Sequence, residues 1–193
     1  MAEPTSSTGS TGSTGPKYLP GDPRPEAENA AMVRVDHAGE YGAARIYAGQ
    51  LAVLGNRPVA KTIRQMADQE QRHLARFDTL VAERRVRPTA LSPLWHAAGW
   101  LLGAGTAVLG ERAAMACTVA VEEVIDEHYA QQADQLGDRD PELKSVVEEF
   151  RQDELEHRDT ALAHGAERAA GYPVLAGAIK AGTRLAIRLS QRW

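Results

Sequence analysis

The chain has 193 residues, 43% of them hydrophobic and 25% charged, which suits one soluble domain large enough for a real core. A formal net charge of −4 gives no basic face for a nucleic acid to bind. The single cysteine, Cys117, excludes an internal disulfide and a thiolate zinc site, and its setting in Ala113-Ala114-Met115-Ala116-Cys117 predicts a buried structural residue.

Residues 1–28 hold three Ser-Thr-Gly repeats and a proline-rich stretch through Pro25. Such a segment buries too little apolar surface to offset the entropy of ordering, so a disordered tail is expected, with the folded domain spanning 29–193. Its two basic residues, Lys17 and Arg24, are outnumbered by acidic ones, unlike a mitochondrial presequence. A first helix is expected from about Glu26 to Leu54, stopped by Gly55 and Pro58. Val33, Glu40, Tyr47 and Leu54 recur at seven, which centres Glu40 on the inward stripe. Gly39, Gly42 and Gly49 each cost a helix about 1 kcal/mol against alanine, and close approach by another helix or a ligand would explain them. A second helix, from near Pro58 to Arg84, puts Ile63, Met66, Ala67, Glu70, His73, Leu74, Phe77 and Val81 on one face. A glutamate and a histidine there need a partner.

From Leu94 to Gly110 the chain carries no charge for 17 residues and includes Trp95, Trp100, Leu101 and Leu102. That falls short of the roughly 20 residues a spanning helix needs. Two readings remain: a hairpin buried in the bundle, or a segment in the membrane interface with both tryptophans at headgroup level, which is favoured because the bundle has four helices without it. Gly103-Ala104-Gly105-Thr106-Ala107-Val108 lacks the third glycine of a dinucleotide loop and any βαβ surroundings. A third bundle helix should cover Glu111 to Leu136, with Met115, Val119, Glu122, Ile125, Asp126 and Tyr129 inward; seven-residue spacing from Met115 and to Tyr129 favours Glu122, although periodicity alone leaves Glu123 open. A fourth follows Asp140, an N-cap before Pro141, and carries Val147, Phe150, Glu154, His157 and Ala161 on one face. Pro173 to Trp193 forms an amphipathic helix whose Lys180, Arg184, Arg188 and Arg192 suit an anionic membrane surface.

Two E-x-x-H stretches organise this pattern: Glu70 to His73 and Glu154 to His157. On a helix each pair faces one way. Glu40 lies 30 residues before Glu70, and Glu122 lies 32 before Glu154. Four carboxylates and two imidazoles inside a four-helix bundle suit two iron or manganese ions rather than zinc. Without metal, burying those carboxylates together costs several kcal/mol each. Symmetry makes Glu70 and Glu154 the bridges, with Glu40 and His73 completing one position and Glu122 and His157 the other. His37, His96, His128 and His164 are not needed as ligands. Asp36 and Asp153 are candidates to orient ligands from behind.

The strings Asp36-His37-Ala38-Gly39-Glu40-Tyr41-Gly42-Ala43, Arg45-Ile46-Tyr47-Ala48-Gly49-Gln50, Ala116-Cys117-Thr118-Val119-Ala120-Val121-Glu122-Glu123 and Asp153-Glu154-Leu155-Glu156-His157 resemble the demethoxyubiquinone hydroxylase family. Arg85-Val86-Arg87-Pro88-Thr89 and Gly103-Ala104-Gly105-Thr106-Ala107 fit as well, so the resemblance covers about Ala30 to Trp193. It implies an all-α, ferritin-like four-helix bundle with an additional hydrophobic helix or hairpin, and takes Glu122 over Glu123 as ligand. It further implies two iron ions, O2 as co-substrate, NADH as electron donor without a nucleotide fold, and ring hydroxylation of a polyprenyl benzoquinol in ubiquinone biosynthesis. The expected setting is peripheral, on the cytoplasmic face of a bacterial membrane, with a lipid-binding or biosynthetic partner protein and an oligomer both open. Tyr129 is a candidate to position ring or oxygen. An iron-storage or peroxide-scavenging protein would use the same six ligands but would not require the apolar run or the basic helix.

Overall fold

The computed structural model describes residues 24–192, which form six α-helices and one 3-10 turn. Helix α1 (Pro25–Leu54) opens on proline with Glu26 and Glu28 in its first turn, where the helix dipole favours negative charge. The helix starts one residue before the expected Glu26, so residues 25–28 are its first turn and not part of a tail. The Ser-Thr-Gly repeats lie outside the described residues. Helix α2 (Ala60–Glu83) starts two residues after Pro58, because Arg57 to Ala60 close a turn, in which the Ala60 N–H donates to the Arg57 carbonyl at 3.0 Å. Helix α4 (Glu111–Leu136) ends at Gly137, whose φ of 51° suits a residue without a Cβ. Helix α5 (Pro141–Ala163) begins as expected, with the Asp140 carboxylate accepting from the Leu143 N–H at 3.1 Å.

Helices α1, α2, α4 and α5 make the bundle. Backbones approach closely within the α1–α2 and α4–α5 pairs, and far less between α2 and α5. The expected inward stripes are buried, including Val33, Tyr47 and Leu54 of α1 and Ile63, Met66 and Phe77 of α2. They assemble into two apolar clusters. One gathers Leu54, Ile63, Met66, Met115 and Val119, and the other Met32, Phe77, Leu80, Leu143 and Phe150. On every bundle helix the buried inward glutamates and histidines fall between those clusters, so the site sits at mid-height with apolar packing on both sides.

The apolar run is one helix, α3 (Ser92–Val108), not a hairpin, and it lies along α1. Glycines permit that approach. A Cβ on Gly103 would sit 1.9 Å from the Ile46 carbonyl oxygen, one on Gly49 2.2 Å from that of Trp100, and one on Gly99 2.8 Å from that of Gly42. Close helix contact thus accounts for Gly49, Gly99 and Gly103, whereas a Cβ on Gly42 or Gly105 would meet nothing within 4 Å. With its small residues spent against α1, α3 turns Leu94 and Leu101 to solvent, and Val108 and Leu109 follow at its end. Trp95 departs from the expected headgroup position: its indole N–H donates to Ser190 Oγ at 3.0 Å, which points the ring inward. Helix α6 (Tyr172–Arg192) packs on α4 and α1. Its basic stripe is only partly free, since Lys180 pairs with Glu123 and Arg184 with Glu127 at 2.9 Å. Opposite charges on α4 have taken up the half of the stripe expected at an anionic surface.

Candidate metal centre

Each bundle helix delivers its inward polar residues to one point. Glu40, Glu70, His73 and Glu154 offer one ligand atom apiece within 4.8 Å of one another, and so do Glu70, Glu122, Glu154 and His157. The quartets share Glu70 and Glu154, the pair that symmetry nominated as bridges. All six residues are buried, none more than 3% exposed. Glu122 points into the cluster, while Glu123, about 100° around the helix, pairs with Lys180 on the far side.

Both imidazoles turn Nδ1 inward. His73 Nδ1 lies 3.2 Å from Glu154 Oε1 and 3.5 Å from Glu40 Oε2. His157 Nδ1 lies 3.1 Å from Glu70 Oε1 and 3.1 Å from Glu154 Oε2. The Nε2 atoms face outward to Asp153 Oδ2 at 2.9 Å and Gln69 Oε1 at 3.1 Å. Tyr47 donates its hydroxyl to Glu122 Oε1 at 3.0 Å, and Tyr129 donates to Glu40 Oε1.

Burial pushes Glu40, Glu70 and Glu122 above the ordinary carboxylate range, and in Glu70 and Glu122 neighbouring carboxylates push further. Burial raises Glu154 as well, but the two imidazoles facing it hold it at about 2. Burial would lower His73, yet the facing Glu154 and Glu40 carboxylates carry it up to about 11. The cluster is short of positive charge, since two imidazoles cannot balance four carboxylates. Both Glu70 oxygens and His73 Nδ1 are buried without a hydrogen-bond partner, close to opposite groups but outside bonding geometry. Lone pairs converging on a common space, with their own hydrogen bonds unmade, are what a cation requires. The oxygen-rich donor set with one imidazole per position fits iron or manganese.

The remaining histidines stay out of the quartets. His37 meets Asp78, His96 meets Tyr41, and His164 meets Thr62. Asp153 holds a candidate ligand from behind, as expected. Asp36 instead holds His128 at 3.1 Å and Gln132 at 2.8 Å, because one turn before Glu40 carries it past the cluster. Gln69 was not singled out from the sequence. Its signal was available: it stands immediately before Glu70, as Asp153 stands immediately before Glu154.

A small cavity of about 20 Å³ touches Glu40, Glu70, Glu122, Glu154 and Tyr129. Beside it an apolar cavity of about 340 Å³ runs between α1, α3, α4 and α6, with Trp95 and Ser190 among its walls. The two share Val35, Gly39, Ala43, Ile125 and Ile187, so only a thin apolar partition separates them.

The model of the family described as ubiquinone biosynthesis protein COQ7 matches residues 27–190. The chain belongs to this family. Among its members, a Rhodospirillum rubrum protein named 3-demethoxyubiquinol 3-hydroxylase is 60% identical over 175 residues, covering 90% of this chain and 82% of the relative. The human NADPH-dependent 3-demethoxyubiquinone 3-hydroxylase, mitochondrial, is 55% identical over 165 residues, covering 83% and 76%. The Saccharomyces cerevisiae 5-demethoxyubiquinone hydroxylase, mitochondrial, is 44% identical over 178 residues, covering 83% and 76%. The human name specifies NADPH where the resemblance implied NADH. Among the described residues, no helix is long and apolar enough to cross a membrane.

Proposed function

We propose that this protein is a di-iron monooxygenase that hydroxylates the ring of a polyprenyl 3-methyl-6-methoxy-benzoquinol, demethoxyubiquinol, in ubiquinone biosynthesis. The observation that carries the reading is the pair of buried quartets sharing Glu70 and Glu154 and backed onto an apolar cavity. Glu40 and His73 would complete one iron position, Glu122 and His157 the other, with the shared glutamates bridging. Bound iron supplies the activation of O2 that no side chain can perform. In the net reaction one oxygen atom enters a ring C–H bond, and the other leaves as water. Two electrons come from a reduced nicotinamide.

The chain's own residues do the rest. Asp153 and Gln69 fix the imidazole tautomers by accepting from Nε2–H, which leaves Nδ1 free to bind. Tyr47 and Tyr129 hold the terminal glutamates through their hydroxyl protons. Tyr129 therefore positions a ligand, and its O–H faces the small cavity where the ring edge would arrive. Val35, Ala43, Ile125 and Ile187 exclude water from the junction. The prenyl tail occupies the apolar cavity and leaves past α3 and α6, whose exposed Leu94, Leu101, Val174 and Leu185 favour a peripheral seat on the membrane holding the quinone. The cytoplasmic face is the seat this reading assigns in a bacterium.

Iron storage finds no support among the relatives, whose names are those of hydroxylases. The test is iron content together with aerobic turnover of a demethoxyquinol by wild type and Glu154→Ala. About two irons per chain and turnover are expected in wild type, with both lost in the variant. Normal hydroxylation by Glu154→Ala would sink the reading.

A further inference from the structure

The frame around the two quartets repeats with approximate two-fold symmetry. Tyr129 of α4 holds Glu40 of α1, and Tyr47 of α1 holds Glu122 of α4. His73 of α2 leans on a residue of α5, and His157 of α5 leans on a residue of α2. Those two supports occupy equivalent places, immediately before the glutamate of each E-x-x-H. The symmetry fails there and nowhere else in this set: the support is a carboxylate at Asp153 and a neutral amide at Gln69.

The difference has chemical weight. An imidazole whose Nε2–H donates to a carboxylate takes on imidazolate character, which makes Nδ1 a stronger donor to a cation. One that donates to an amide oxygen keeps its ordinary basicity. Asp153 also adds a full negative charge just behind the ring, which favours the more highly charged state of whatever ion the ring holds. Its side chain is 32% exposed, so solvent weakens this field without cancelling the 2.9 Å bond.

We infer that Asp153 and Gln69 are positioning residues that make the two metal positions unequal. The position of Glu40 and His73 takes a divalent cation more tightly and retains the ferric state longer than that of Glu122 and His157. This inference rests on the two-metal reading of the quartets.

The experiment is an anaerobic titration of metal-freed full-length protein with ferrous iron, resolving both stepwise constants. It is joined by Mössbauer spectra of samples carrying one equivalent of ⁵⁷Fe. In Asp153→Asn the tighter constant weakens by about 10–100-fold while the weaker one stays in place, and Asp153→Glu restores it. In the double variant Asp153→Asn/Gln69→Glu the single ⁵⁷Fe changes environment, giving a different quadrupole doublet from wild type. Thermal midpoints of the metal-free variants are recorded so that a folding defect is seen separately. Equal weakening of both constants in Asp153→Asn, no weakening of either, or an unchanged doublet in the double variant each overturns the inequality alone. Wild-type protein that binds no iron overturns the metal-centre reading and this inference with it.

Discussion

Tyr47 is buried to 1% exposure, and its hydroxyl serves one carboxylate oxygen of Glu122. Burial and the neighbouring carboxylates push its own ionisation well above the usual tyrosine range, so it remains a donor at any working pH. A hydrogen bond of this kind is worth roughly 1 kcal/mol net, and a buried acceptor left without its donor costs about 1–3 kcal/mol. Tyr47→Phe should therefore destabilise the metal-free protein by about 2 kcal/mol in a urea titration while iron still binds. An unchanged midpoint would mean that the bond carries no free energy. At this scale the sequence was informative where a seven-residue period decided the issue, as for Glu40, and silent where adjacent residues competed. Glu122 and Glu123 differ by a rotation of about 100° that a short stripe does not resolve. Gln69 matches Asp153 in standing immediately before an E-x-x-H glutamate, but the histidine it supports lies 88 positions away on another helix, so the local pattern marks the position without its partner.

At the level of elements, the α1–α3 contact rests on backbone touching backbone. Gly103→Ala places a Cβ where the Ile46 carbonyl already is, and overpacking of this kind costs about 1–3 kcal/mol. Gly105, two residues on, has nothing within 4 Å, so Gly105→Ala should stabilise by up to about 1 kcal/mol. Denaturation of both variants checks the pair, and equal effects would show that the helices are not held at that distance. The α5 start offers a second case. Burial raises Asp140, but Arg84, the Leu143 N–H and Asn29 lower it further, leaving the carboxyl below its usual range. A depressed folded value gives stability that is complete above the unfolded carboxyl range near about 4 and fades as pH falls through the folded value. Asn also caps helices, so Asp140→Asn should cost about 1 kcal/mol at pH 7, with the gap to wild type closing as pH falls below the ordinary Asp range and through the folded value. A gap that persisted at low pH would assign the effect to packing. The bundle helices and the start of α5 were legible from capping residues and period. The path of α3 was not, because a helix apolar on all sides does not announce which face meets its neighbour, and the partner was settled by glycines on two separate helices.

For the molecule as a whole, the α1–α2 and α4–α5 pairs are well packed internally and meet through side chains, those of the two apolar clusters and of the site between them, with few close backbone approaches. Four buried carboxylates between them repel one another, and two imidazoles offset only part of that repulsion. Metal would convert the repulsive layer into a cross-link between helix pairs. Ligand binding to the folded state alone adds RT ln(1 + [L]/Kd), about 2.7 kcal/mol at one hundred times Kd for each independent position. Loading anaerobic protein with ferrous iron should raise the unfolding free energy by at least that amount. Amide exchange should slow most in α2 around Glu70 to His73 and in α5 around Glu154 to His157, where backbone contact between the elements is sparse. Exchange in α3 should change little, because its hold on α1 is independent of the site. Glu154→Ala removes a bridge from both quartets and should abolish the gain. Equal stabilisation of that variant, or protection spread evenly over all six helices, would mean that iron binds elsewhere and that the bundle is held by its two apolar clusters alone.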